Sequence, residues 1–291
     1  MDKKTIINWC ILFFLSIVWG SSFILMKKSL LDFSFLEVGI YRLSIAFFFL
    51  IPFTFSSLKK IRKRDILPLC IVSIIGTVIP AIIFAKSQMH IESSLAGMLN
   101  SLTPLFTILL GILLFSKKWN KYNLIGIIIG VSGTYFLLQP LNSQNSETPH
   151  ILMVIFATFC YAFSINIIKE KLTSLKSIEI ASVTSLISFI FPLMYILTTG
   201  LKFNANKILL NWSSFYYLII LGGICTSLAI VMFNFLIKRS TALFASSTTY
   251  LIPVFAIIWG ILDFEIITQK EIVGIFVILG GVLIMNYRIG D

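Results

Sequence analysis

Long uninterrupted apolar stretches constrain this chain more than any other feature of its sequence. A bilayer core needs about 20 apolar residues per helix, and ten stretches of roughly that length follow one another. Their apolar residues run continuously and do not alternate with polar ones, so they predict membrane-spanning helices, not the strands of a barrel. They cover residues 6–26, 35–55, 66–86, 93–115, 121–139, 149–168, 177–199, 212–236, 241–262 and 269–287.

The composition rules out a water-soluble fold. Hydrophobic residues make up 58% of the 291 residues and charged residues 12%, whereas soluble domains have about 45–50% and ~25%. The sequence therefore predicts an all-α integral membrane protein. Its net charge of +11 comes from basic residues that form short clusters between apolar stretches. This pattern suits loops beside an anionic lipid leaflet, so we expect the lipid bilayer as a partner and no nucleic acid.

Lysine and arginine residues are distributed unequally between the two faces that ten spans define. Sixteen lie on the face that holds both termini and six on the opposite face. Because cytoplasmic loops are enriched in Lys and Arg, we expect a multi-pass protein of the cytoplasmic membrane with both termini in the cytoplasm. The first stretch is followed by Met26-Lys27-Lys28 and not by a small-residue cleavage site. It is therefore predicted to be a retained span and not a signal peptide.

The two halves of the sequence resemble each other. A polar segment bounded by Pro140 and Pro149 divides the chain, which predicts a first five-helix repeat over residues 1–140 and a second over 141–291. The segment Asn100-Ser101-Leu102-Thr103-Pro104-Leu105-Phe106 matches Thr249-Tyr250-Leu251-Ile252-Pro253-Val254-Phe255. Since five is odd, the second repeat must enter from the opposite face. Inverted repeats of this kind are typical of transporters that bind substrate near the bilayer midplane.

Several short motifs carry a resemblance to one known family. They are Trp19-Gly20-Ser21-Ser22-Phe23, Arg42, Ser101-Leu102-Thr103-Pro104-Leu105-Phe106, Tyr250-Leu251-Ile252-Pro253-Val254-Phe255, and Glu265 nine residues before Gly274. With these motifs the chain resembles, over about residues 6–287, the EamA-type transporters of the drug/metabolite transporter superfamily. The resemblance implies ten helices, a central cavity, and mostly export of amino acids, related metabolites or drugs. Two positions depart from the family pattern: Lys117 replaces a glutamate, and Cys160-Tyr161 replaces a Trp-Gly-type pair.

Polar and aromatic side chains on shared helix faces are the candidates for substrate binding, because polar groups inside a membrane are costly. Asn100 and Thr249 have the strongest case. They occupy equivalent repeat positions four residues before Pro104 and Pro253, and each proline is expected to leave the carbonyl of the residue four before it unpaired. The alternative is that such groups only join helices, at about 0.6 kcal/mol per bond. The full candidate set is Trp19, Ser22, Thr77, Phe84, Gln88, Asn100, Thr103, Tyr161, Asn166, Asn234, Thr249 and Tyr250.

Two cationic residues are further candidates. Arg42 is the only charge clearly inside a predicted span, and an intramembrane charge is a functional candidate by default. The alternative is that Arg42 extends toward the outer surface, near Glu37. Lys86 lies at the outer end of the third stretch, where it could hold a substrate carboxylate or serve as an interfacial anchor.

These observations favour a secondary transporter that exports small metabolites, namely amino acids or amphipathic analogues, by alternating access. The alternative within the same class is translocation of drugs or lipid-linked sugars. A membrane-embedded enzyme is disfavoured because the sequence shows no buried cluster of His, Asp, Glu or Cys. An ion channel is disfavoured because no filter or charged ring is apparent.

No cofactor or metal ion is expected. The four cysteines lie inside apolar stretches without a CxxC motif, and His90 and His150 are far apart in sequence. A small-molecule substrate is the expected partner. Monomer and homodimer both stay open.

Overall fold

The computed structural model describes residues 3–118, 120–137, 147–199 and 205–286. These residues form helices and no strand, which confirms the predicted all-α class. A short helix, Ala205–Leu210, precedes α8. The long helical segments are α1 (Lys3–Ser29), α2 (Phe35–Leu58), α3 (Lys63–Ser87), α4 (Ser93–Phe115), α5 (Lys121–Leu137), α6 (Thr148–Lys171), α7 (Ser177–Thr199), α8 (Trp212–Arg239), α9 (Ala242–Leu262) and α10 (Gln269–Asn286).

Eight of these helices, α1–α4 and α6–α9, are long and apolar enough to cross a membrane. The other two, α5 and α10, have 17 and 18 residues and coincide with the remaining predicted stretches. Large apolar side chains cover the outside of the bundle, among them Phe55, Leu113 and Phe276. Such a surface suits lipid and not water. The predicted boundary between residues 140 and 141 lies outside the described residues.

Four of the long helices are interrupted in mid-course. The α3 helix contains a π-helical segment at Ile74–Val78, and α8 contains one at Gly223–Leu228. The α4 and α9 helices contain 3₁₀ segments at Asn100–Leu102 and Ser247–Tyr250. Irregular turns of this kind inside helices often mark functional positions.

The interruptions have local causes in the sequence. Three of the four interruptions are followed by an α-helical segment with a proline in its first two positions. These prolines are Pro80 in α3, Pro104 in α4 and Pro253 in α9. A proline cannot donate its backbone N–H, and its ring clashes with the preceding turn. The interruption in α8 has no proline but follows Gly222. There the Thr226 hydroxyl donates to the carbonyl of Leu221 (2.7 Å) and competes with regular helical bonding.

Glycines let helices from the two halves approach closely. A Cβ atom added at Gly20 of α1 would lie 2.5 Å from Cβ of Phe255 in α9, and one at Gly97 of α4 would lie 2.4 Å from Cβ of Ala256. Helices α3 and α6 also meet at a glycine, Gly76, and so do α2 and α8 at Gly222. The two halves therefore pack into each other.

Ion pairs close the ends of the bundle. On the predicted outer face Lys27 pairs with Glu92 and Glu265, and Lys207 pairs with Glu37 at 2.8 Å. On the predicted inner face Lys60 pairs with Glu179 at 2.8 Å. Each ion pair found in the described ranges joins two groups that the sequence places on one face of the membrane.

Candidate functional site

A cavity of about 120 Å³ lies inside the bundle, between α1–α4 and α6–α9. Of the described residues, none on α5 or α10 lines it. The predicted substrate-binding residues that line it are Trp19, Ser22, Thr77, Phe84, Asn100, Thr103, Tyr161, Asn234 and Thr249. The structure thus gathers residues from both halves of the sequence around one space.

All four helix interruptions border this cavity. Gly76 and Thr77 come from the π-helical segment of α3, Thr226 from that of α8, and Asn100 and Thr249 from the 3₁₀ segments of α4 and α9. Irregular backbone at membrane depth is tolerated where it lines a cavity or is buried in protein. The interruptions therefore place backbone polar groups, as well as side chains, beside the cavity.

Aromatic rings form much of the cavity wall. The Trp19 and Phe233 rings meet edge to face, with centroids 4.8 Å apart. The Phe84 and Tyr161 rings stack at 5.9 Å, and Phe23 packs against Phe84 at 5.6 Å. The Trp19 indole is fixed because its Nε1 donates to the carbonyl of Cys225 (3.0 Å). Rigid aromatic walls with a few polar groups are typical of small-molecule sites.

The backbone at Asn100 differs from the expectation. The Asn100 carbonyl accepts the backbone N–H of Thr103 and the Thr103 hydroxyl (2.8 Å). The prediction that this carbonyl is unpaired was wrong, because the chain tightens into a 3₁₀ turn before Pro104 and satisfies it locally. At Thr249 the hydroxyl donates to the carbonyl of Ser246 (2.8 Å).

One lining amide has no partner. The Nδ2 group of Asn234 in α8 is buried and makes no hydrogen bond to any described residue. A buried polar group left unpaired is costly, by about 1–3 kcal/mol. Because Asn234 lines the cavity, its amide is a candidate partner for a ligand.

Arg42 also lines the cavity and is 9% exposed. Its Nε donates to the Thr226 hydroxyl at 2.8 Å, across from α2 to α8. It does not pair with Glu37, whose two carboxylate oxygens each accept from Lys207 at 2.8 Å. The alternative that Arg42 extends outward to Glu37 is therefore not the arrangement seen.

The remaining predicted residues lie outside the cavity wall: Gln88, Asn166, Tyr250 and Lys86. Asn166 is fully buried. Its amide donates to the carbonyls of Thr107 and Ala162, and its oxygen accepts from Lys117 (3.1 Å). Lys86 lies 5.9 Å from the Phe35 ring centroid. Asn166 therefore joins helices, and Lys86 sits near the end of α3 against an aromatic ring.

The sequence did not identify several lining residues, notably Phe23, Ser164, Thr184 and Phe233. Thr184 lies on α7. This helix carries so many Ser and Thr residues that its sequence does not distinguish a polar face from the others. Phe23 directly follows the candidate Ser22. Helical periodicity alone does not show whether the Phe23 side chain or that of its neighbour faces the cavity, because this depends on how α1 packs against the other helices.

Glu265 lies beyond the cavity, at the predicted outer face. Its carboxylate accepts the backbone N–H groups of Ser93 (3.0 Å) and Ser94 (2.9 Å), at the start of α4, and the ammonium of Lys27 (2.8 Å). Burial by itself would raise the pKa of this carboxyl, but the bonds from Lys27, Ser93 and Ser94 outweigh burial and hold the pKa well below its usual range. Glu265 thus ties α1 and α4 to the segment after α9.

The two histidines, far apart in sequence, are in contact in the structure. The rings of His90 and His150 stack with centroids 3.9 Å apart. Nδ1 of His150 is buried without a partner among the described residues. Over the same ranges, no group of three or more His, Cys, Asp or Glu residues is placed to hold a metal ion.

Comparison with known proteins gives consistent results. A sequence model of the EamA-like transporter family matches residues 7–139 and again 148–287. The chain is 24% identical over 280 residues to the uncharacterized inner membrane transporter YedA of Escherichia coli K12, covering 94% of this chain and 89% of YedA. It is 26% identical over 231 residues to the uncharacterized transporter YetK of Bacillus subtilis, covering 77% and 69%.

Two further matches extend over nearly the whole chain. An uncharacterized transporter of Archaeoglobus fulgidus is 22% identical over 279 residues, covering 96% of this chain and 98% of that protein. One solved crystal structure superposes with a TM-score of 0.65 at 14% identity, over 94% of this chain and 95% of the other. The structural match supports the fold alone.

Proposed function

The chain belongs to the EamA-like transporter family, and from this membership we propose that it is a secondary transporter that exports small metabolites across the cytoplasmic membrane. The proposed substrates are amino acids or amphipathic analogues. Relatives described as transporters, one of them in the inner membrane, support the class and the location. The proposals on alternating access and on the repeated architecture are argued from the cavity and from the internal symmetry of the chain.

We propose that the two halves are inverted five-helix repeats with ten spans in all. Corresponding helices carry corresponding irregularities: π-helical segments in α3 and α8, and 3₁₀ segments followed by proline in α4 and α9. The two described non-glycine residues with positive φ, Ser116 (51°) and Phe264 (60°), each stand ten residues before a glycine, Gly126 and Gly274. The family model also matches the chain twice. These parallels support duplication.

The central observation is the cavity between the halves. Its wall combines aromatic rings, hydroxyl and amide groups, and one guanidinium, contributed by helices of both halves. A site at the interface of two repeats can open to either side when one repeat rocks against the other. This arrangement supports alternating access.

Matched ion pairs at the two faces support the same mechanism. Glu37 at the start of α2 pairs with Lys207, and Glu179 at the corresponding start of α7 pairs with Lys60. Each pair joins the two halves of the chain at one face. Breaking one pair while keeping the other would open the bundle on one side only.

The test is transport by purified protein in proteoliposomes. Vesicles preloaded with unlabelled amino acids are presented with labelled amino acids, one at a time, and counterflow is measured. The variants Asn100→Ala and Thr249→Ala are expected to lower the rate about tenfold or more, because removing a buried hydrogen bond to substrate costs about 1–3 kcal/mol.

The control is Ser132→Ala, which removes a hydroxyl from the exposed side of α5, away from the cavity. It should transport at the wild-type rate. Counterflow that is unaffected by both cavity variants would show that Asn100 and Thr249 only join helices. Transport of hydrophobic drugs but of no amino acid would overturn the proposed substrate class.

A further inference from the structure

The positive charge of Arg42 in the cavity wall indicates which transported molecules the cavity favours. This inference rests on the proposed function. Among the described residues that line the cavity, Arg42 is the only one with a permanent charge, and none is Asp, Glu or Lys. The cavity is therefore electropositive. A ligand that matches it brings negative charge.

Arg42 lacks a counter-ion in the described part of the chain. No carboxylate there lies within salt-bridge distance of it, and its one hydrogen bond runs from Nε to the Thr226 hydroxyl. The nearest acid in sequence, Glu37, is held by Lys207. The N–H donors of both Nη groups of Arg42 therefore have no hydrogen-bond partner among the described residues.

A buried guanidinium without a counter-ion lowers the stability of the protein unless a ligand supplies the negative charge. The effective penalty for desolvating an ion in a protein interior is several kcal/mol, and a partner with good geometry repays it. A guanidinium whose two Nη groups are free matches a planar oxyanion, because two parallel N–H···O bonds form together. Substrate binding would supply the charge that the protein itself does not.

The surroundings of Arg42 suit a carboxylate with an apolar body. The rings of Trp19, Phe84, Tyr161 and Phe233 line the same cavity, and Asn234 adds an amide to its wall. Aromatic faces can also attract the ammonium of a zwitterion. Nothing in the described cavity wall supplies an acid for a ligand that carries only positive charge.

We propose that Arg42 is the anchor for a carboxylate on the transported molecule, and that the cavity selects carboxylate-bearing amphipathic solutes against organic cations. The expected substrates are zwitterionic amino acids or monocarboxylates with an apolar side chain. Thr226 holds the guanidinium in place through Nε and leaves the Nη groups for the ligand.

The test uses matched probes that differ in one charged group. Phenylalanine, 3-phenylpropionate and phenethylamine share a ring and differ in their carboxylate and ammonium. Leucine, 4-methylpentanoate and isoamylamine form the aliphatic counterpart. Binding is measured by the shift in melting temperature of the purified full chain, and competition is measured against counterflow of whichever labelled amino acid the vesicles carry.

The expected result is that molecules with a carboxylate stabilise the wild-type protein and compete, whereas the two amines do neither. Arg42→Gln should weaken carboxylate binding about 10- to 100-fold, as expected for loss of a charge-assisted pair, and Arg42→Lys should retain part of it. Without ligand, Arg42→Gln should melt at or above the wild-type temperature, because it removes an uncompensated buried charge.

Several results would overturn the proposal. They are stabilisation by the amines, no response to any carboxylate, or an undiminished response in Arg42→Gln. A large fall in the unliganded melting temperature of Arg42→Gln, together with a failure of Arg42→Lys to retain any preference for carboxylates over amines that the wild type shows, would assign Arg42 a purely structural role. The comparison of probes on the wild-type protein needs no variant, so it decides the question even if Arg42→Gln does not fold. Transport of cations alone would refute this inference while leaving a transporter, whereas absence of all transport would refute the proposed function.

Discussion

Glu265 shows how single residues hold the predicted outer face together. Its side chain is fully buried, yet it is charged because Lys27 and the backbone N–H groups of Ser93 and Ser94 surround it. A carboxylate at the first turn of α4 also interacts favourably with the helix dipole. One side chain therefore connects three segments that are distant in sequence.

Replacing Glu265 by Gln should destabilise the protein by about 3 kcal/mol, the lower end of the cost of breaking a buried pair, because Lys27 keeps Glu92 as a partner. Thermal melting of detergent-solubilised protein, followed by tryptophan fluorescence, measures the effect. The matched control is Glu170→Gln. Glu170 is 39% exposed and lies 3.5 Å from Lys117, so its loss should cost at most about 1 kcal/mol. Equal losses in the two variants would contradict this assignment.

The stability of the wild-type protein and that of Glu265→Gln should depend differently on pH. The folded-state pKa of Glu265 lies below its ordinary value of 4.5, so the unfolded chain binds a proton first as the pH falls. The stabilisation is complete above 4.5 and is lost as the pH falls from there through the folded pKa. The melting difference between the wild type and Glu265→Gln should be constant near neutral pH and shrink below about 4.5. A difference that stays constant into that range would refute the role of the ionised carboxylate.

At the scale of residues, helical periodicity predicts which side chains share one face of a helix. Asn100, Thr103 and Thr249 were placed on inward faces of their helices, and all three line the cavity. Periodicity does not predict the contact at Asn166, whose oxygen accepts from Lys117 of another segment. Periodicity identifies a face but not the neighbour that this face meets.

At the scale of helices, α5 and α10 approach each other closely through glycines on both of them. A Cβ atom at Gly281 would lie 2.7 Å from both the Gly126 carbonyl oxygen and the Gly130 backbone nitrogen. A Cβ atom at Gly133 would lie 2.9 Å from the Gly274 carbonyl oxygen. Small residues at such spacing favour close approach of helices in membranes, and these glycines provide it between α5 and α10.

Gly281→Ala should therefore force α5 and α10 apart, because backbone atoms cannot rotate away from the new methyl group. The expected loss of stability is about 1–3 kcal/mol, as for other overpacked sites. The neighbouring Gly280→Ala is the control, since its Cβ would meet nothing within 4 Å. It should be neutral or stabilising by up to about 1 kcal/mol from helix propensity. Melting temperatures that do not separate the two variants would argue against the tight packing.

The helix interruptions were only half predictable. Pro104 and Pro253 indicated that α4 and α9 cannot be regular at these positions. The sequence did not indicate that the chain would tighten into 3₁₀ turns and satisfy the Asn100 carbonyl from Thr103. The π-helical segment of α8 contains no proline, and the bond from the Thr226 hydroxyl to the Leu221 carbonyl follows from no simple sequence pattern.

For the whole molecule, the distribution of Lys and Arg predicts the orientation. In a variant without the native Cys10, Cys70, Cys160 and Cys225, single cysteines are placed at Leu31 and Lys59, both exposed. A membrane-impermeant thiol reagent added to intact cells should label position 31. It should reach position 59 only after the membrane is permeabilised. The reverse pattern would invert the topology, and equal labelling of intact cells would exclude the ten-span arrangement.

The distribution of acids in the molecule bears on energy coupling. Carriers driven by protons or sodium commonly use an acid embedded in the membrane, whose charge is tolerated because it titrates or binds the ion. The described cavity wall contains no Asp, Glu or His. Glu37 and Glu179, the acids near the ends of α2 and α7, are each held by a lysine, Lys207 and Lys60. The cavity therefore offers a permanent charge at Arg42 but no carboxylate that exchanges a proton with the substrate.

We accordingly expect a facilitator or exchanger driven by the gradient of its own substrate. Counterflow in proteoliposomes should proceed at the same rate with and without an imposed pH or sodium gradient, and neither gradient should drive accumulation above equilibrium. Glu37→Gln and Glu179→Gln should change the rate through the ion pairs that join the halves, without altering this independence. Concentrative uptake driven by a proton gradient, and abolished in Glu37→Gln or Glu179→Gln, would show that an acid at the end of a helix reaches inward and couples transport after all.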